Sequence, residues 1–247
     1  MNGTERTDDG RGRLGSALSG LAVAVGCVLF LGGFVWGAVQ YQPYTVPTDS
    51  MSPTVAAGDR VLAQRIDGVE VRRGDVVVFT DSTWGDLPMV KRVVGVGGDK
   101  VACCDAQGRL TVNGTPVAEP YLRSRGPAST PFSVTVPQGR LFLLGDERMG
   151  SQDSRVHLQD AARGSVPRSA VSARVDAIAW PPGGLVERPK GFAELPGGVS
   201  RPGPVTLVLG SVVAGAVLIL GGAAYGPLAR RLTRRPRTGA GARGAHG

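Results

Sequence analysis

The chain has 247 residues, 42% of them apolar, and a formal net charge of +8 at pH 7, which allows one domain of ordinary size together with additional segments. Residues 201–247 contain seven arginines and no acidic residue, whereas residues 40–200 contain 18 basic and 17 acidic residues. Because the excess positive charge lies at one end and aromatic residues are few, we do not expect the protein to bind nucleic acid.

The first predicted element is a membrane-spanning helix over residues 14–40, preceded by a short tail, residues 1–13. The helix contains no charged side chain and is long enough to cross the hydrocarbon core of a bilayer. Trp36, Tyr41 and Tyr44 lie at its far end, where aromatic side chains favour the membrane interface. The apolar core of a cleaved secretory signal is usually only about 7–15 residues long, so we expect the helix to be retained.

A stiff segment, TVPTDSMSPTV, follows shortly after this helix. Its prolines, Pro47 and Pro53, bracket Ser50 and Met51. Proline fixes its own φ and favours extended geometry in the preceding residue. The segment is therefore expected to hold Ser50 in a fixed place soon after the chain leaves the membrane.

Residues 41–200 are predicted to form one mainly β domain with antiparallel sheets, curled or barrel-like, around one core. Short apolar runs such as MVKRVVGV and RLFLL are separated by Gly, Pro and Asp. The run FSVTV alternates with the period of a half-buried strand, and the dipeptide Asn113–Gly114 is a hairpin signal. No stretch outside the membrane segments has helical periodicity.

The cysteines and histidines do not have the spacing of a metal site, so we expect neither metal nor cofactor. The adjacent Cys103 and Cys104 allow a vicinal disulfide in an oxidising compartment. The interpretation that we favour is two reduced or partly buried thiols on a strand, without a catalytic role.

A second membrane helix is predicted over residues 204–229, because the segment is apolar and rich in Gly and Ala. The arginines of residues 230–247 follow it directly, so the positive-inside rule places that tail in the cytoplasm. Two crossings then place residues 1–13 in the cytoplasm as well and residues 41–200 outside. The sequence predicts a multi-pass protein of the cell membrane, with both tails disordered.

A nucleophilic serine needs a base, and His157 is the only histidine of residues 41–200. A lysine can replace histidine if its amine is neutral. On a strand, Lys91 shares a face with Met89 and Val93, and burial would lower the pKa of its amine from about 10.4. The alternative is that the stem of Lys91 packs on the sheet while its amine reaches water.

Four motifs in order, PTDSMSPT, RRGDVVVF, VKRVVGVGGD and GDERMGSQDSR, resemble those of bacterial type I signal peptidases (leader peptidases), which are membrane-bound Ser–Lys proteases. The resemblance extends from about Tyr44 to Pro182 and includes VPRSAVSARVDAIAWPP. The short spacing between Lys91 and Gly145 is similar to the compact Gram-positive form. A C-terminal membrane helix is typical of actinobacterial members rather than of the whole family.

The resemblance implies that Ser50 is the nucleophile and Lys91 its general base. The hydroxyl of Thr48 and the amide of Ser50 would form the oxyanion hole. Ser151 would orient the lysine, and four further polar residues would support the site: Asp146, Asp153, Arg155 and Arg92. Met51 is expected to line the substrate pocket, with a role in the hydrophobic core as the alternative.

The implied activity is that of a serine endopeptidase that removes N-terminal signal peptides by way of an acyl-enzyme. Its expected partners are secretory preproteins with A-x-A-like cleavage sites, the lipid bilayer and the export translocon. Two departures from the family pattern affect the loops of the site: Glu147 stands where Asn is usual, and Asp49 where glycine is common.

Three other functions stay open at this point. The protein could process only a few surface proteins such as pilins, or it could be a membrane-anchored β-domain without catalytic activity. The third alternative is a self-cleaving protease of the SOS-repressor type, which is related in fold, and the two membrane segments argue against it.

Overall fold

The computed structural model describes residues 9–123 and 130–233. The chain divides into two compact units. One contains most of two long helices, α1 (Asp9–Gln40) and α3 (Val205–Thr233), and the other, residues 38–205, contains the β-sheets and a short helix, α2 (Lys190–Ala193).

The two long helices contain the apolar segments that the sequence marks as membrane-spanning, here Gly15–Gln40 and Val205–Tyr225. The helices pack closely where small residues face each other. A methyl group at Gly26 would come within 2.9 Å of the backbone of α3, and Ser19 Oγ donates a hydrogen bond of 2.6 Å to the carbonyl of Gly222. Small residues allow such close approach of helices in a bilayer.

Both helices extend beyond the predicted membrane segments. Residues 9–13 and 230–233 are helical, so the prediction that the tails are disordered is wrong for these residues. The remainder of the two predicted tails, residues 1–8 and 234–247, lies outside the described residues.

Every strand pairing in the described residues is antiparallel, and the predicted mainly β fold is confirmed. The larger sheet has the strand order β1-β2-β11-β3-β4-β9-β10, with β12 paired to β11, and the smaller sheet has the order β7-β6-β5-β8. The strands are β1 (Tyr41–Thr45), β2 (Arg60–Arg65), β3 (Val76–Phe79), β4 (Met89–Val96), β5 (Lys100–Cys103), β6 (Leu110–Val112), β7 (Thr115–Pro116), β8 (Phe132–Thr135), β9 (Arg140–Leu144), β10 (Val166–Pro167), β11 (Val171–Trp180) and β12 (Gly184–Leu185).

The smaller sheet follows the local sequence signals closely. Asn113 and Gly114 have φ angles of 55° and 82°, the left-handed pair that a tight hairpin turn requires, and they join β6 to β7. In β8 the apolar Val134 is buried while its two polar neighbours are exposed. At the end of β5, Cys103 forms a disulfide with Cys104, where the sequence favoured two thiols.

The larger sheet is covered on both faces, which divides the apolar core into separate clusters instead of the single core expected. Val76 and Val78 of β3 pack on one face together with Met51 and Val55. Val77 and Phe79 pack on the other face, which explains why β3 reads as an unbroken apolar run. A third cluster fills the space between β9 and the smaller sheet.

A buried carboxylate on β11 binds both ends of the β unit. Asp176 accepts hydrogen bonds from the hydroxyl of Tyr41, 3.2 Å away, and from the backbone N–H of Gly203, 3.1 Å away. Arg188 supplies the counter-charge at 2.5 Å. The first residue of β1 and a residue just before α3 are therefore held at one point of the sheet.

Candidate active site

Ser50 lies on a single 3₁₀ turn, Asp49–Met51, that follows β1. The turn is fixed at both ends: Asp49 Oδ1 accepts a hydrogen bond of 2.9 Å from the N–H of Ala57, and the N–H of Val55 donates to the carbonyl of Met51. Met51 is fully buried in the core, whereas Ser50 is partly exposed. The buried side chain anchors the turn and leaves the neighbouring hydroxyl accessible.

Lys91 of β4 reaches this hydroxyl directly. Its Nζ donates a hydrogen bond of 2.8 Å to Ser50 Oγ and a weaker one of 3.2 Å to the carbonyl of Val90. Lys91 is only 4% exposed, and its cross-strand neighbour is the buried Val77 of β3. The predicted burial of Lys91 is confirmed, and the alternative of an amine that reaches open water is wrong.

Burial lowers the pKa of the Lys91 amine from its usual value near 10.5, because the ammonium loses water. The carboxylates of Asp153 and Asp146 oppose this shift by favouring the charged form. The net effect is a lowered pKa, so the neutral amine forms at a lower pH than in a free lysine.

Thr48 lies on the other side of Ser50 and caps the turn with extended backbone. Its Oγ1 donates a hydrogen bond of 3.2 Å to Ser50 Oγ, and the side chain is exposed. The serine oxygen therefore has a buried donor on one side and a solvent-facing hydroxyl on the other.

Ser151 lies near Ser50 but forms no hydrogen bond with Ser50 or Lys91. A side chain at Gly145 would collide with Ser151 Oγ and with the carbonyl of Ser50, so the glycine allows both to approach the end of β9. Ser151 Oγ is buried and has no hydrogen-bond partner among the described residues. Ser151 was expected to orient Lys91, but no hydrogen bond joins the two side chains in this structure.

A buried ion pair braces the strand that carries the lysine. Arg92 donates two hydrogen bonds to the carboxylate of Asp146, at 2.8 and 2.6 Å, and a third to the carbonyl of Gly74. Thr54 Oγ1 donates to the same carboxylate at 2.6 Å. This pair ties β4 to the loop after β9 and to the segment that follows Ser50.

Three further members of this network were missed by the sequence analysis. Arg148 donates a hydrogen bond of 2.9 Å to Glu119 and another of 3.0 Å to the carbonyl of Gly145. Tyr121 donates to Glu119, and its ring lies 4.1 Å from the guanidinium of Arg92. Arg148 could have been found, since it stands inside a quoted motif, but Glu119 and Tyr121 belong to no pattern.

The remaining predicted residues also have defined partners. Asp153 and Arg155 form an ion pair of 2.7 Å, and Asp153 accepts a hydrogen bond from the N–H of Gly145. His157 stacks on Trp84 and bonds Asp160. The partner of Ser50 is therefore Lys91, while His157 is engaged elsewhere. No group of three or more metal-ligating side chains occurs in the part of the chain described.

Comparisons with known proteins identify the family of this chain. Residues 17–180 match the family model described as signal peptidase, peptidase S26. Signal peptidase I of Mycobacterium tuberculosis is 31% identical over 231 residues, which cover 72% of this chain and 77% of the relative. Signal peptidase IB of Staphylococcus aureus is 33% identical over 182 residues, covering 65% and 87% respectively.

A solved signal peptidase I from Enterococcus faecalis is 26% identical and covers 42% of this chain and 94% of that one, with a TM-score of 0.35. That score is too low to add weight, so the assignment comes from the family model and the sequence relatives. The chain belongs to the signal peptidase family, peptidase S26.

Proposed function

We propose that this serine peptidase removes N-terminal signal peptides from exported preproteins with Ser50 as its nucleophile and Lys91 as its general base. The observation that carries the proposal is the 2.8 Å hydrogen bond between a buried amine and an accessible hydroxyl. A serine hydroxyl is a weak nucleophile until an adjacent base accepts its proton. Lys91 can be that base because its burial favours the neutral amine.

The reaction begins when the neutral Nζ of Lys91 accepts the proton of Ser50 and the serine oxygen attacks the scissile carbonyl. The hydrogen bond of the resting enzyme, in which the ammonium donates, reverses its direction once the amine is neutral. Lys91 then protonates the leaving amine, which becomes the new N-terminus of the exported protein. Water activated by the same lysine hydrolyses the acyl-enzyme.

The oxyanion of the tetrahedral intermediate is assigned to the Ser50 amide and the Thr48 hydroxyl. Thr48 is suited to this task because its hydroxyl lies 3.2 Å from the attacking oxygen and faces solvent. It has only to rotate from the serine oxygen toward the developing charge. A donor in such a position contributes about 3–4 kcal/mol to transition-state stabilisation.

The polar residues around the dyad keep it in place. Asp153 is paired with Arg155 and Asp146 with Arg92. Neither carboxylate therefore depends on the Lys91 ammonium for charge balance. This arrangement lets Lys91 become neutral without leaving a carboxylate unpaired. Ser151, whose buried hydroxyl has no partner among the described residues, is assigned to hold the neutral amine during the reaction.

The substrate is assigned to enter as an extended strand that places small side chains, in an A-x-A-like pattern, beside Ser50. The side chain of Met51, buried below the turn that contains Ser50, would limit the depth of a pocket. The two apolar helices anchor the enzyme in the bilayer, and the β unit faces outward, where cleavage sites emerge. The bilayer and the export translocon are the further partners that this arrangement implies.

Cleavage of a purified preprotein by the detergent-solubilised enzyme tests the proposal. Ser50→Ala and Lys91→Ala should each lower the rate by at least about a thousandfold, while His157→Ala, which alters a histidine engaged elsewhere, should leave it nearly unchanged. Activity that survives in Lys91→Ala but not in His157→Ala would overturn the dyad. No cleavage by the unaltered enzyme would favour a membrane-anchored β-domain without catalytic activity.

A further inference from the structure

A cavity lies away from the Ser50–Lys91 pair. It has a volume of about 100 Å³ and is lined by three arginines, Arg72, Arg73 and Arg168, by two valines and by the loop 196–198. None of its lining residues belongs to the dyad or to the network that braces it. The space is sufficient for several waters or for one tetrahedral oxyanion.

The positive charge of this cavity is only partly balanced. Arg73 pairs with Asp99 and also donates to the carbonyl of Pro196 at 2.7 Å. Arg168 donates only to neutral carbonyls, those of Gly68 and Val71, at 2.7 and 3.0 Å. Its charge therefore has no carboxylate partner within the described residues.

Arg72 is the third cation, and its guanidinium is the one available to a ligand. The side chain is exposed and takes part in none of the salt bridges found in the described part of the chain. Of the three guanidinium groups, only that of Arg73 is paired with a carboxylate, that of Asp99, in the described part of the chain.

Burial lowers the pKa of the Arg168 guanidinium, and the nearby charges of Arg72 and Arg73 lower it further. Arginine nevertheless stays charged in proteins, so the three guanidinium groups repel one another. An anion placed between the three groups would relieve this repulsion.

Two of the three arginines of the cavity are held in place by other parts of the chain. Arg73 and Arg168 are fixed by their hydrogen bonds, and Gly197 adopts a φ of 92° that glycine accommodates readily. A methyl group at Gly197 would lie 3.8 Å from Arg73 Nη1 and 3.9 Å from Arg72 Nη1, so the loop closes directly over both guanidinium groups. Such preorganisation lowers the entropic cost of binding.

We infer that this cavity binds a phosphate-type oxyanion, held by Arg72 and Arg168 beside the already paired Arg73. The planar guanidinium fork matches phosphate oxygens with two parallel hydrogen bonds. The phosphate group can come from free inorganic phosphate or from the headgroup of an anionic phospholipid. The inference is independent of proteolysis, because the site shares no residue with the dyad.

A purely structural role for the arginines is the competing explanation. Arg168 holds the turn that contains Gly68, and Arg73 holds the loop at Pro196, so both would be retained without any ligand. A structural role does not account for Arg72, whose side chain is exposed. Arg72 is therefore the residue whose substitution separates the two explanations.

The test uses the full chain in neutral detergent, titrated with inorganic phosphate against sodium chloride at equal ionic strength and followed by calorimetry. Arg72→Gln should fold normally, since the Arg72 side chain is exposed and makes no hydrogen bond to the described residues. It should bind phosphate roughly tenfold more weakly, as expected for one lost charge-assisted hydrogen bond. Arg60→Gln, which removes another exposed arginine outside the cavity, should bind phosphate as the unaltered chain does.

A second arm identifies the source of the phosphate group. The same three proteins are purified from bilayers of phosphatidylcholine with or without phosphatidylglycerol, and native mass spectrometry counts the lipids retained. Retention of phosphatidylglycerol that is lost only in Arg72→Gln identifies a lipid headgroup, whereas phosphate binding alone identifies a free anion. If neither probe binds in a manner that depends on Arg72, the inference is wrong.

Discussion

Lys91 combines near-complete burial with direct contact to a hydroxyl, and its protonation state connects activity to pH. Because burial lowers the pKa of the amine from about 10.5, the neutral base forms at a lower pH than in a free lysine. We expect kcat/KM for preprotein cleavage to fall about tenfold per pH unit below that pKa and to level off above it. A pH–rate profile of the unaltered enzyme measures this decrease in kcat/KM.

The same group affects stability in a defined direction. Between the lowered pKa in the folded state and about 10.5 in the unfolded state, the unfolded chain binds more protons, so folding stability rises with pH. Lys91→Met should be more stable than the unaltered enzyme at neutral pH, and the difference should shrink toward pH 10. Lys100→Met, at an exposed position, is the control, and thermal unfolding at several pH values provides the measurement. A difference that grows with pH would contradict the assigned shift.

Thr48 provides a second test at the residue level. Thr48→Val keeps the shape of the side chain and removes the hydroxyl that lies 3.2 Å from Ser50 Oγ. If this hydroxyl stabilises the oxyanion, kcat should fall by about 10²–10³ with little change in KM. Thr135→Val, at an exposed position on β8, should change neither constant. A rise in KM alone would assign Thr48 to substrate binding instead.

At the level of elements, an ion pair between Arg148 and Glu119 connects the loop after β9 to the segment after β7. Glu119→Leu would leave Arg148 buried without its counter-charge, at a cost of about 3–5 kcal/mol of unfolding free energy. Because Arg148 also binds the carbonyl of Gly145, the loop that contacts Ser50 should shift and kcat should fall. Denaturant unfolding and steady-state kinetics measure the two effects.

The double variant Glu119→Leu, Arg148→Met separates the ion pair from general damage to the loop. Since it removes both charges, it should recover part of the stability lost in the single variant. Glu194→Leu, at an exposed position, should have little effect. Strictly additive losses in the double variant would mean that the two side chains do not act as a pair.

The strands and the proposed dyad were predictable from the sequence because their signals are local. β4 and β9 coincide with the apolar runs MVKRVVGV and RLFLL, and the Asn113–Gly114 turn follows from backbone preference alone. The contact between Glu119 and Arg148 was not predictable, since it depends on how the two sheets pack. The same holds for the hydroxyl of Ser151, which a motif assigned to orienting Lys91 but which has no hydrogen-bond partner among the described residues.

At the level of the whole molecule, the two apolar helices and the basic tail predict a defined orientation. Ser169→Cys, at an exposed position of the β unit, should react with a membrane-impermeant maleimide on intact cells. Thr238→Cys, in the basic tail, should react only after the cells are permeabilised, because cytoplasmic segments carry the excess arginine. The opposite labelling pattern would reverse the proposed topology.

The carboxylate of Asp176 brings Tyr41 and Gly203 to the same oxygen atom. The entry and exit points of the β unit are therefore neighbours, although they are distant in sequence. A few residues would suffice to splice them, and new termini could be opened at the Asn113–Gly114 turn, as circular permutation exploits in other domains whose ends lie close together. The β unit is in this respect a nearly closed loop of chain, joined through the side chain of Asp176.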